Sequence, residues 1–396
     1  MRKTLSATFI LALLIASIIV AIQLVNVVVA NFPPLPPDLP PIYIRSDGNI
    51  YPSTAPIQKV GDTYTFTSDV TDHTIKVQRD NIIIDGAGFT INQTPIDTSQ
   101  LMIPAGWHPA IDLTSRSNVT IKNTQFTHCI SSINIENSSS ISITQNNITG
   151  NSYIAIFIYS SSNITIAKND ITSNYQGMLI IDSKHIDILE NNITQNSVGI
   201  QCYASTLPPQ LNPNATSSCA YVDIIGNTII GNTKSGILLH ASFYNRIEYN
   251  TIENNNDGIY LYPSYYTIIC HNNFVSNIQN VYTSGGLSSG GGNTWIGDSG
   301  TTGNYWSDYL TRYPNASEIN SSGIGDMPYV IDENNQDNYP LMNPVDTEVI
   351  PEFPSWTPML LALAVFTVAI TIYKRRLRKL MNKKRMSCKH ELLEKK

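Results

Sequence analysis

Apolar and polar residues alternate in short segments between about residues 118 and 283, and one segment recurs six times. Each copy contains an Ile-x-x-Asn-x-apolar pattern, with asparagines at Asn146, Asn169, Asn191, Asn227, Asn250 and Asn272. A second asparagine follows five residues later, at Asn151, Asn174, Asn196, Asn232, Asn255 and Asn277. The first set is spaced by 22 or 23 residues except for one step of 36. That step predicts one period plus an insertion at 203–220.

Alternation with a period of two is typical of β-strands, and a repeat of this length is typical of a solenoid. A unit of 22–23 residues holds three short strands and three turns. The sequence therefore predicts an all-β fold, a right-handed parallel β-helix. Asparagine tolerates left-handed backbone, and its amide can bond the same amide one coil away. We expect both columns to face into the coil as ladders, with Thr124 and Cys129 in the equivalent positions of the preceding coil.

Composition shifts predict the organisation of the rest of the chain. Residues 1–30 have a basic start, an apolar run and a small-residue end near Ala30, which indicates a signal peptide, although the run is long enough to be an uncleaved N-terminal anchor. Residues 357–373 are apolar and a basic cluster follows, which indicates a transmembrane helix with the C-terminus inside. The other predicted segments are a Pro-rich spacer at 31–42, an N-terminal cap and first coil at 43–117, the repeats at 118–283, a Gly-rich and aromatic C-terminal cap at 284–350, a sorting motif and transmembrane helix at 351–373, and a basic cytoplasmic tail at 374–396.

Charge is distributed unevenly along the chain. Residues 31–355 carry 11 Lys or Arg and 28 Asp or Glu, a net charge of −17. Such an acidic segment disfavours nucleic acid as a partner and suits an extracellular surface. Nine Asn-x-Ser/Thr sequons are consistent with an exported glycoprotein, and those beside the ladders need outward side chains. They are Asn92, Asn118, Asn137, Asn147, Asn163, Asn192, Asn214, Asn315 and Asn320.

The cysteines and histidines do not form a recognisable metal motif. None of the five cysteines has the spacing of a zinc site, and the histidines fall in different columns of the repeat. We therefore predict no metal or other cofactor. Cys202 and Cys219 bracket the insertion, and in an exported protein they are expected to form a disulfide worth ~3 kcal/mol. The alternative is an inward-packed Cys202 and an unrelated Cys219.

One outward face of the predicted helix carries aromatic residues on successive coils. Exposed rings beside hydroxyl groups are typical of sugar-binding surfaces. The alternatives are that another segment covers this stripe or that it reflects strand propensity. A neighbouring column is predicted to add outward hydroxyls at Ser161, Ser183, Ser205, Ser242 and Ser264. The predicted ligand-binding residues are Phe157, Tyr159, Tyr203, His240, Tyr260 and Tyr262.

Catalysis on a polysaccharide would require a pair of carboxylates. Glycoside hydrolysis uses two of them about 5–10 Å apart. Asp187 and Asp223 align on adjacent coils and are the only such candidates that the repeat brings together, although like charges on a solvated face are the ordinary interpretation. We therefore expect binding or a structural role rather than an enzyme.

The repeat, its start and its end together resemble a known group of proteins. The start is Ile82-Ile-Ile-Asp-Gly-Ala-Gly, and the end contains Asn304-Tyr-Trp-Ser-Asp-Tyr, Gly325-Asp-Met-Pro-Tyr and Asp337-Asn-Tyr-Pro-Leu. Over residues 43–343 the chain resembles NosD-like β-helix proteins, part of the carbohydrate-binding and sugar-hydrolase group common on archaeal surfaces. The resemblance implies a β-helix and leaves two alternatives open, a polysaccharide-degrading hydrolase or lyase and a copper-related accessory factor. The segment beginning at Glu318 resembles the calcium loop of relatives but lacks most of its acids.

The C-terminal segment resembles a sorting signal. Pro351, Glu352 and Phe353 precede the apolar run and the basic cluster, as in PEF-type signals that an archaeosortase reads. This resemblance implies that the helix is removed and replaced by a lipid anchor. We therefore predict an exported protein on the outer face of the cell membrane, with a polysaccharide or surface glycan as its partner.

Overall fold

The computed structural model of the chain describes residues 40–94, 108–205, 219–284, 292–297 and 300–347. The predicted signal peptide, the sorting motif, the transmembrane helix, the basic tail and Asn214 lie outside these residues. Within the described ranges, no helix combines the length and apolar character needed to cross a membrane.

The described chain forms a right-handed parallel β-helix of about nine turns, and each coil contributes one strand to each of three sheets. The first sheet contains β1 (Pro41–Ile44), β2 (Ile50–Tyr51), β6 (Thr74–Val77), β9 (Pro109–Asp112), β12 (Ser131–Glu136), β15 (Ile154–Tyr159), β18 (Gln176–Ile181), β21 (Val198–Tyr203), β24 (Ser235–His240), β28 (Asp257–Tyr262) and β31 (Gln279–Thr283). The second contains β3 (Ile57–Val60), β4 (Thr63–Phe66), β7 (Ile82–Asp85), β10 (Ser117–Lys122), β13 (Ser139–Thr144), β16 (Ser162–Ala167), β19 (Lys184–Leu189), β22 (Cys219–Ile225), β25 (Ser242–Phe243), β26 (Arg246–Glu248) and β29 (Ile268–Cys270). The third contains β5 (Val70–Thr71), β8 (Thr90–Asn92), β11 (Gln125–Thr127), β14 (Asn147–Thr149), β17 (Asp170–Thr172), β20 (Asn192–Thr194), β23 (Thr228–Ile230), β27 (Thr251–Glu253), β30 (Asn273–Val275) and β32 (Tyr305–Trp306).

The repeated isoleucines form the core. Ile166, Ile188 and Ile224 lie directly opposite one another on successive coils, and all three are fully buried. Branched side chains suit a pleated surface, and burial of each contributes roughly 1.5–3 kcal/mol. The alternating pattern therefore produces one continuous apolar column for each inward position, as predicted.

Both predicted asparagine ladders are present. The backbone N–H of Asn146 donates to Oδ1 of Asn169 at 2.9 Å, and its Nδ2 donates to the same oxygen at 3.0 Å. The same pair of bonds crosses the long step, from Asn191 to Asn227 at 2.9 and 3.0 Å. The insertion therefore leaves the stack in register. The strand before the insertion ends at Tyr203, and the strand after it begins at Cys219.

The two ends of the solenoid depart from simple coils. At the N-terminus β1 pairs antiparallel with β2, and β3 pairs antiparallel with β4. The first strand begins at Pro41, inside the predicted spacer. At the C-terminus β32 extends the third sheet, and a short helix, α1 (Tyr309–Arg312), and a hairpin of β33 (Tyr329–Val330) and β34 (Gln336–Asp337) follow. The ring of Trp306 lies between Phe274 at 4.3 Å and Tyr329 at 4.1 Å, which covers the last coil.

Candidate functional site

Three of the predicted aromatic residues on the first sheet form a stack, here called the strand column (Tyr203, His240 and Tyr262). The ring centroids of Tyr203 and His240 are 4.6 Å apart, and those of His240 and Tyr262 are 4.7 Å apart. The rings are within 18° of parallel. Tyr159 is separated from this stack by Ile181, which occupies the coil between Tyr159 and Tyr203.

Stacking limits how these rings can meet a ligand. Both faces of His240 are covered by tyrosines, so the middle of the strand column presents ring edges rather than faces. Burial among the rings also lowers the pKa of His240, which favours the neutral imidazole near pH 7. The sugar-face stacking expected from the sequence is therefore restricted to the two ends of the column.

The remaining two predicted ligand-binding residues are less accessible. Phe157 occupies an outward position of its strand, but only 6% of its surface is exposed. Tyr260 is half-buried, and its hydroxyl bonds Oγ of Ser284 at 2.7 Å. The six residues therefore differ in exposure, and Phe157 does not lie on an open surface.

The prediction of an outward serine column is wrong. Ser183, Ser242 and Ser264 are fully buried, and the column is a third internal ladder in which the N–H of Ser161 donates to Oγ of Ser183 at 3.0 Å. A serine hydroxyl is short enough to bond backbone at this turn, where a left-handed residue precedes it, and it is therefore used inside the coil. Ser205 is not part of the ladder, since its hydroxyl bonds Asp182 on the surface. Cys219 takes its place, paired with Ser242.

A second set of stacked rings was missed by the sequence analysis. It lies where the chain enters the second sheet, and we call it the corner column (His185, Tyr221, Tyr244 and Tyr266). Successive ring centroids are 5.1, 5.4 and 5.1 Å apart and within 12° of parallel. The three tyrosines are 46, 40 and 46% exposed. The signal was available, because each of these residues stands three positions before the inward isoleucine of its coil (Ile188, Ile224, Ile247 and Ile269), but the predicted aromatic stripe followed the strands of the first sheet.

The two columns flank one edge of the solenoid. In one coil His240 and Tyr244 are four residues apart, and in the next Tyr262 and Tyr266 are four residues apart. The insertion arises from this same edge, between Tyr203 and Tyr221. The strand column and the corner column together are called the aromatic corner.

Charged residues lie beside the corner column. Asp187 and Asp223 are directly opposite each other on adjacent coils, as predicted, and Arg246 follows on the next. The guanidinium of Arg246 is 3.7 Å from Asp223 and 2.6 Å from Glu248. Adjacent strands are separated by roughly 4.8 Å, so the backbones of the two aspartates are spaced close to the lower end of the range that paired carboxylates need.

The environment of the two aspartates favours their protonated forms. Partial burial raises the pKa of Asp187, and the charge of His185 opposes that change. Burial also raises the pKa of Asp223, with Arg246 opposing it and the negative charge of Asp187 adding to it. Perturbed carboxyl groups of this kind are found at functional sites as well as in structural ion pairs.

Cys202 and Cys219 lie together in the core and are held as free thiols in the structure. The pKa of Cys202 lies well above its usual value. The main cause is the hydrogen bond between the two thiols, and burial is the second cause. Their proximity is compatible with the predicted disulfide, which stays a prediction.

The described residues do not fit a copper site. They contain no group of three or more His, Cys, Asp or Glu side chains arranged to hold a metal. The paired thiols of Cys202 and Cys219 are soft ligands of the kind copper(I) prefers, but both are fully buried. We therefore derive no chemistry through a metal.

The described sequons other than Asn92, which is half-buried, are exposed. Asn147 and Asn192 lie next to the first ladder yet begin strands of the third sheet with their side chains outward. Asn118 and Asn163 occupy the corner-column positions of earlier coils. The geometry is therefore compatible with modification at each of these four asparagines.

Several solved structures resemble the chain at low identity. A mutant of the periplasmic alginate epimerase AlgG is 16% identical over 59% of this chain and 63% of that chain, with a TM-score of 0.44. The A-module of the mannuronan C-5 epimerase AlgE6 of Azotobacter vinelandii is 12% identical over 53% of this chain and 60% of that chain, with a TM-score of 0.39. This chain thus spans less than two thirds of either structure. No curated protein matches it significantly.

The family comparison covers most of the solenoid. Residues 44–207 and 212–311 match the family described as periplasmic copper-binding protein (NosD). The two matched ranges flank part of the insertion and together make up more than half of the chain. The chain therefore belongs to the NosD family.

Proposed function

We propose that the protein is an exported β-helix protein that binds a glycan chain across the aromatic corner. The observation that carries the proposal is the backbone of the corner column. His185, Tyr221, Tyr244 and Tyr266 all have φ between 55° and 57°, a left-handed conformation that is unfavourable for bulky residues. The same position in earlier coils holds Asn118, Ser140 and Asn163, which tolerate it better.

Four successive aromatic residues at a left-handed position that asparagine and serine occupy more easily favour a role beyond folding. Strain of this kind is concentrated at functional sites. Stacked tyrosines lose little conformational freedom on binding because neighbouring rings already hold them. Their edges form a row of phenol groups along the solenoid axis, beside Asp187, Asp223 and Arg246. A polymer with repeated hydroxyl groups matches such a row.

Retention on immobilised polysaccharides tests the proposal. A glycan array first identifies a polymer that the full-length protein binds. The triple variant Tyr221→Ala, Tyr244→Ala, Tyr266→Ala is then expected to lose retention on that polymer by more than about tenfold, since each ring contributes roughly 0.5–1.5 kcal/mol. Tyr175→Ala is the matched control, because Tyr175 is 53% exposed and stacks on Tyr153 away from the corner. Unchanged retention of the triple variant would refute the proposal.

The strand column is tested separately. Replacing Tyr159, Tyr203 and Tyr262 with alanine reports on the residues that the sequence predicted. We expect a smaller loss than for the corner column, because Tyr203 is half-buried and Tyr159 and Tyr262 are 36 and 38% exposed, less than the corner tyrosines.

A second candidate function is cleavage of the bound glycan. It is favoured by the register pairing of Asp187 and Asp223 and by their raised pKa values, since one carboxyl group must be protonated to act as an acid. Release of reducing sugar by the wild type, and its loss in both Asp187→Asn and Asp223→Asn, would establish catalysis. Retention of the protein on the polysaccharide without release of reducing sugar would leave binding as the function.

We also propose that the protein is anchored at the outer face of the cell membrane. Membership of a family described as periplasmic supports export. The apolar segment 357–373 and the preceding Pro351-Glu352-Phe353 support a membrane helix or its replacement by a lipid after archaeosortase processing. The mass of the mature protein distinguishes these two outcomes, because processing removes the residues after the sorting motif.

A further inference from the structure

A cavity opens where the last coil meets the C-terminal cap. Its volume is about 280 Å³, and it is lined by β31 on one side and by α1 and β33 on the other. It lies beyond the end of the second asparagine ladder, next to Asn277. The sequence repeat stops here, so no further coil fills the space.

A connected set of polar groups forms one wall of the cavity. Nδ2 of Asn277 donates to Oδ1 of Asn280 at 3.2 Å. Nδ2 of Asn280 donates both to Oδ1 of Asp308 and to the hydroxyl of Tyr329, each at 3.1 Å. The hydroxyl of Tyr329 donates to Asp308 at 3.0 Å. These bonds orient Asp308 toward the cavity while leaving part of its acceptor capacity unused.

Arg312 places a positive charge beside this network. The guanidinium of Arg312 is 4.8 Å from the ring centroid of Tyr329, which is itself stacked on Trp306. Burial raises the pKa of Tyr329 to about 12, so its hydroxyl stays protonated. Within the described ranges Arg312 forms no ion pair with a carboxylate, and the residue is exposed at the rim.

We propose that this cavity binds one acidic sugar residue, a uronate at the end of a glycan chain or free in solution. Arg312 would hold the carboxylate with two parallel hydrogen bonds. Asp308 and Asn280 would bond the ring hydroxyls, and Ile278, which is 84% exposed at the rim, would cover an apolar face. The volume suits a ligand of this size. The choice of a sugar rests on the proposed glycan binding, while the acidic class comes from Arg312.

Calorimetry with the full-length protein and free monosaccharides tests the inference. The ligands are glucuronate and galacturonate, their neutral counterparts glucose and galactose, and glycine. We expect uronates to bind about tenfold more tightly than the neutral sugars. Arg312→Gln is expected to abolish that difference, whereas Arg312→Lys keeps the charge and retains part of it. Arg45→Gln is the matched control, because Arg45 lies 4.4 Å over the ring of Tyr51 near the other end of the solenoid.

Each result has a definite meaning. Failure of every uronate to bind, equal affinity for neutral sugars, or unchanged discrimination in Arg312→Gln would overturn the inference. Preference for glycine over uronates would also overturn it and assign the cavity to amino acids. The triple tyrosine variant must still bind the uronate. Loss of polymer retention with intact uronate binding, or the reverse, separates the aromatic corner from this cavity.

Discussion

The two asparagine ladders are alike along the solenoid and differ at their C-terminal ends. The first continues past Asn272 to Asn304, which in turn donates its N–H to the buried carboxylate of Asp337 at 2.7 Å. The second ends at the half-buried Asn277, which bonds Asn280 beside the open cavity. Both ladders thus end near the same coil. The first has a closed end, because it is bonded to Asp337 of the cap, and the second has an open end beside the cavity. The difference shows that the cap covers the core on one side and leaves a binding-sized space on the other.

The largest expected effect comes from removing the closed end. Asp337 accepts hydrogen bonds from the N–H of Asn304, from Nε1 of Trp306 at 3.0 Å and from the N–H of Tyr339 at 3.0 Å. Asp337→Ala leaves these buried donors without an acceptor, at about 1–3 kcal/mol each. We expect the free energy of unfolding in urea to fall by about 3–5 kcal/mol. A loss below about 1 kcal/mol would show that the cap does not depend on this carboxylate.

Replacing one asparagine of each ladder in the same coil with alanine compares the closed and open ends directly. Asn272 is fully buried and donates to the carbonyl of Ile247 at 2.7 Å and to Oδ1 of Asn304 at 3.0 Å. Asn277 is half-buried, and in the described part of the chain its amide donates to Asn280 of β31 rather than to an asparagine of a further coil. We expect Asn272→Ala to cost about 3 kcal/mol and Asn277→Ala about 1–2 kcal/mol. Equal losses would contradict the distinction between closed and open ends.

The closed end also predicts a pH dependence. Burial raises the pKa of Asp337 above 3.8, although hydrogen bonds from Asn304, Trp306 and Tyr339 oppose the shift. As the pH rises above about 4, the unfolded chain releases this proton first. The free energy of unfolding therefore falls until the pH passes the folded pKa. Asp337→Asn lacks this contribution. In urea titrations at several pH values, the free energy of unfolding of this variant should therefore rise relative to that of the wild type as the pH increases. The opposite trend would mean that the hydrogen bonds outweigh burial.

The smallest effect on stability is expected at the open end. Arg312 is exposed and makes no ion pair with another described residue, so Arg312→Gln should change the free energy of unfolding by less than about 0.5 kcal/mol. The same variant should lose uronate discrimination. A large destabilisation would instead indicate that Arg312 has a structural role over Tyr329.

Much of the fold was predictable because the repeat is local and periodic. Asn146 and Asn169 bond each other in the way that their spacing indicated, and the buried isoleucines follow from period two. The serine column was not predicted correctly, because the repeat marks Ser161 and Ser183 as equivalent without showing which way a turn residue points. The residue before each of Ser161, Ser183 and Ser242 is left-handed, which turns these three serines into the core.

The candidate site was predicted only in part. The register placed Tyr203, His240 and Tyr262 in one column, and the structure stacks them. The three rings cover one another's faces because of their side-chain rotamers, and the spacing of residues in the sequence does not reveal rotamers. The corner column follows the same repeat and was missed, whereas the cavity at Arg312 depends on contacts between the last coil and residues of the cap that the repeat does not include.

The sequence by itself determined the coil length, the two ladders, the inward columns and the pairing of Asp187 with Asp223. These follow from one repeated pattern, since each coil is bonded to the next at the same positions. Only the tertiary structure decided which aromatic rings are exposed, which ladder is closed and where a cavity remains. Those features arise where the repeat ends or turns, and there the packing of nonequivalent segments, rather than periodicity, determines the geometry.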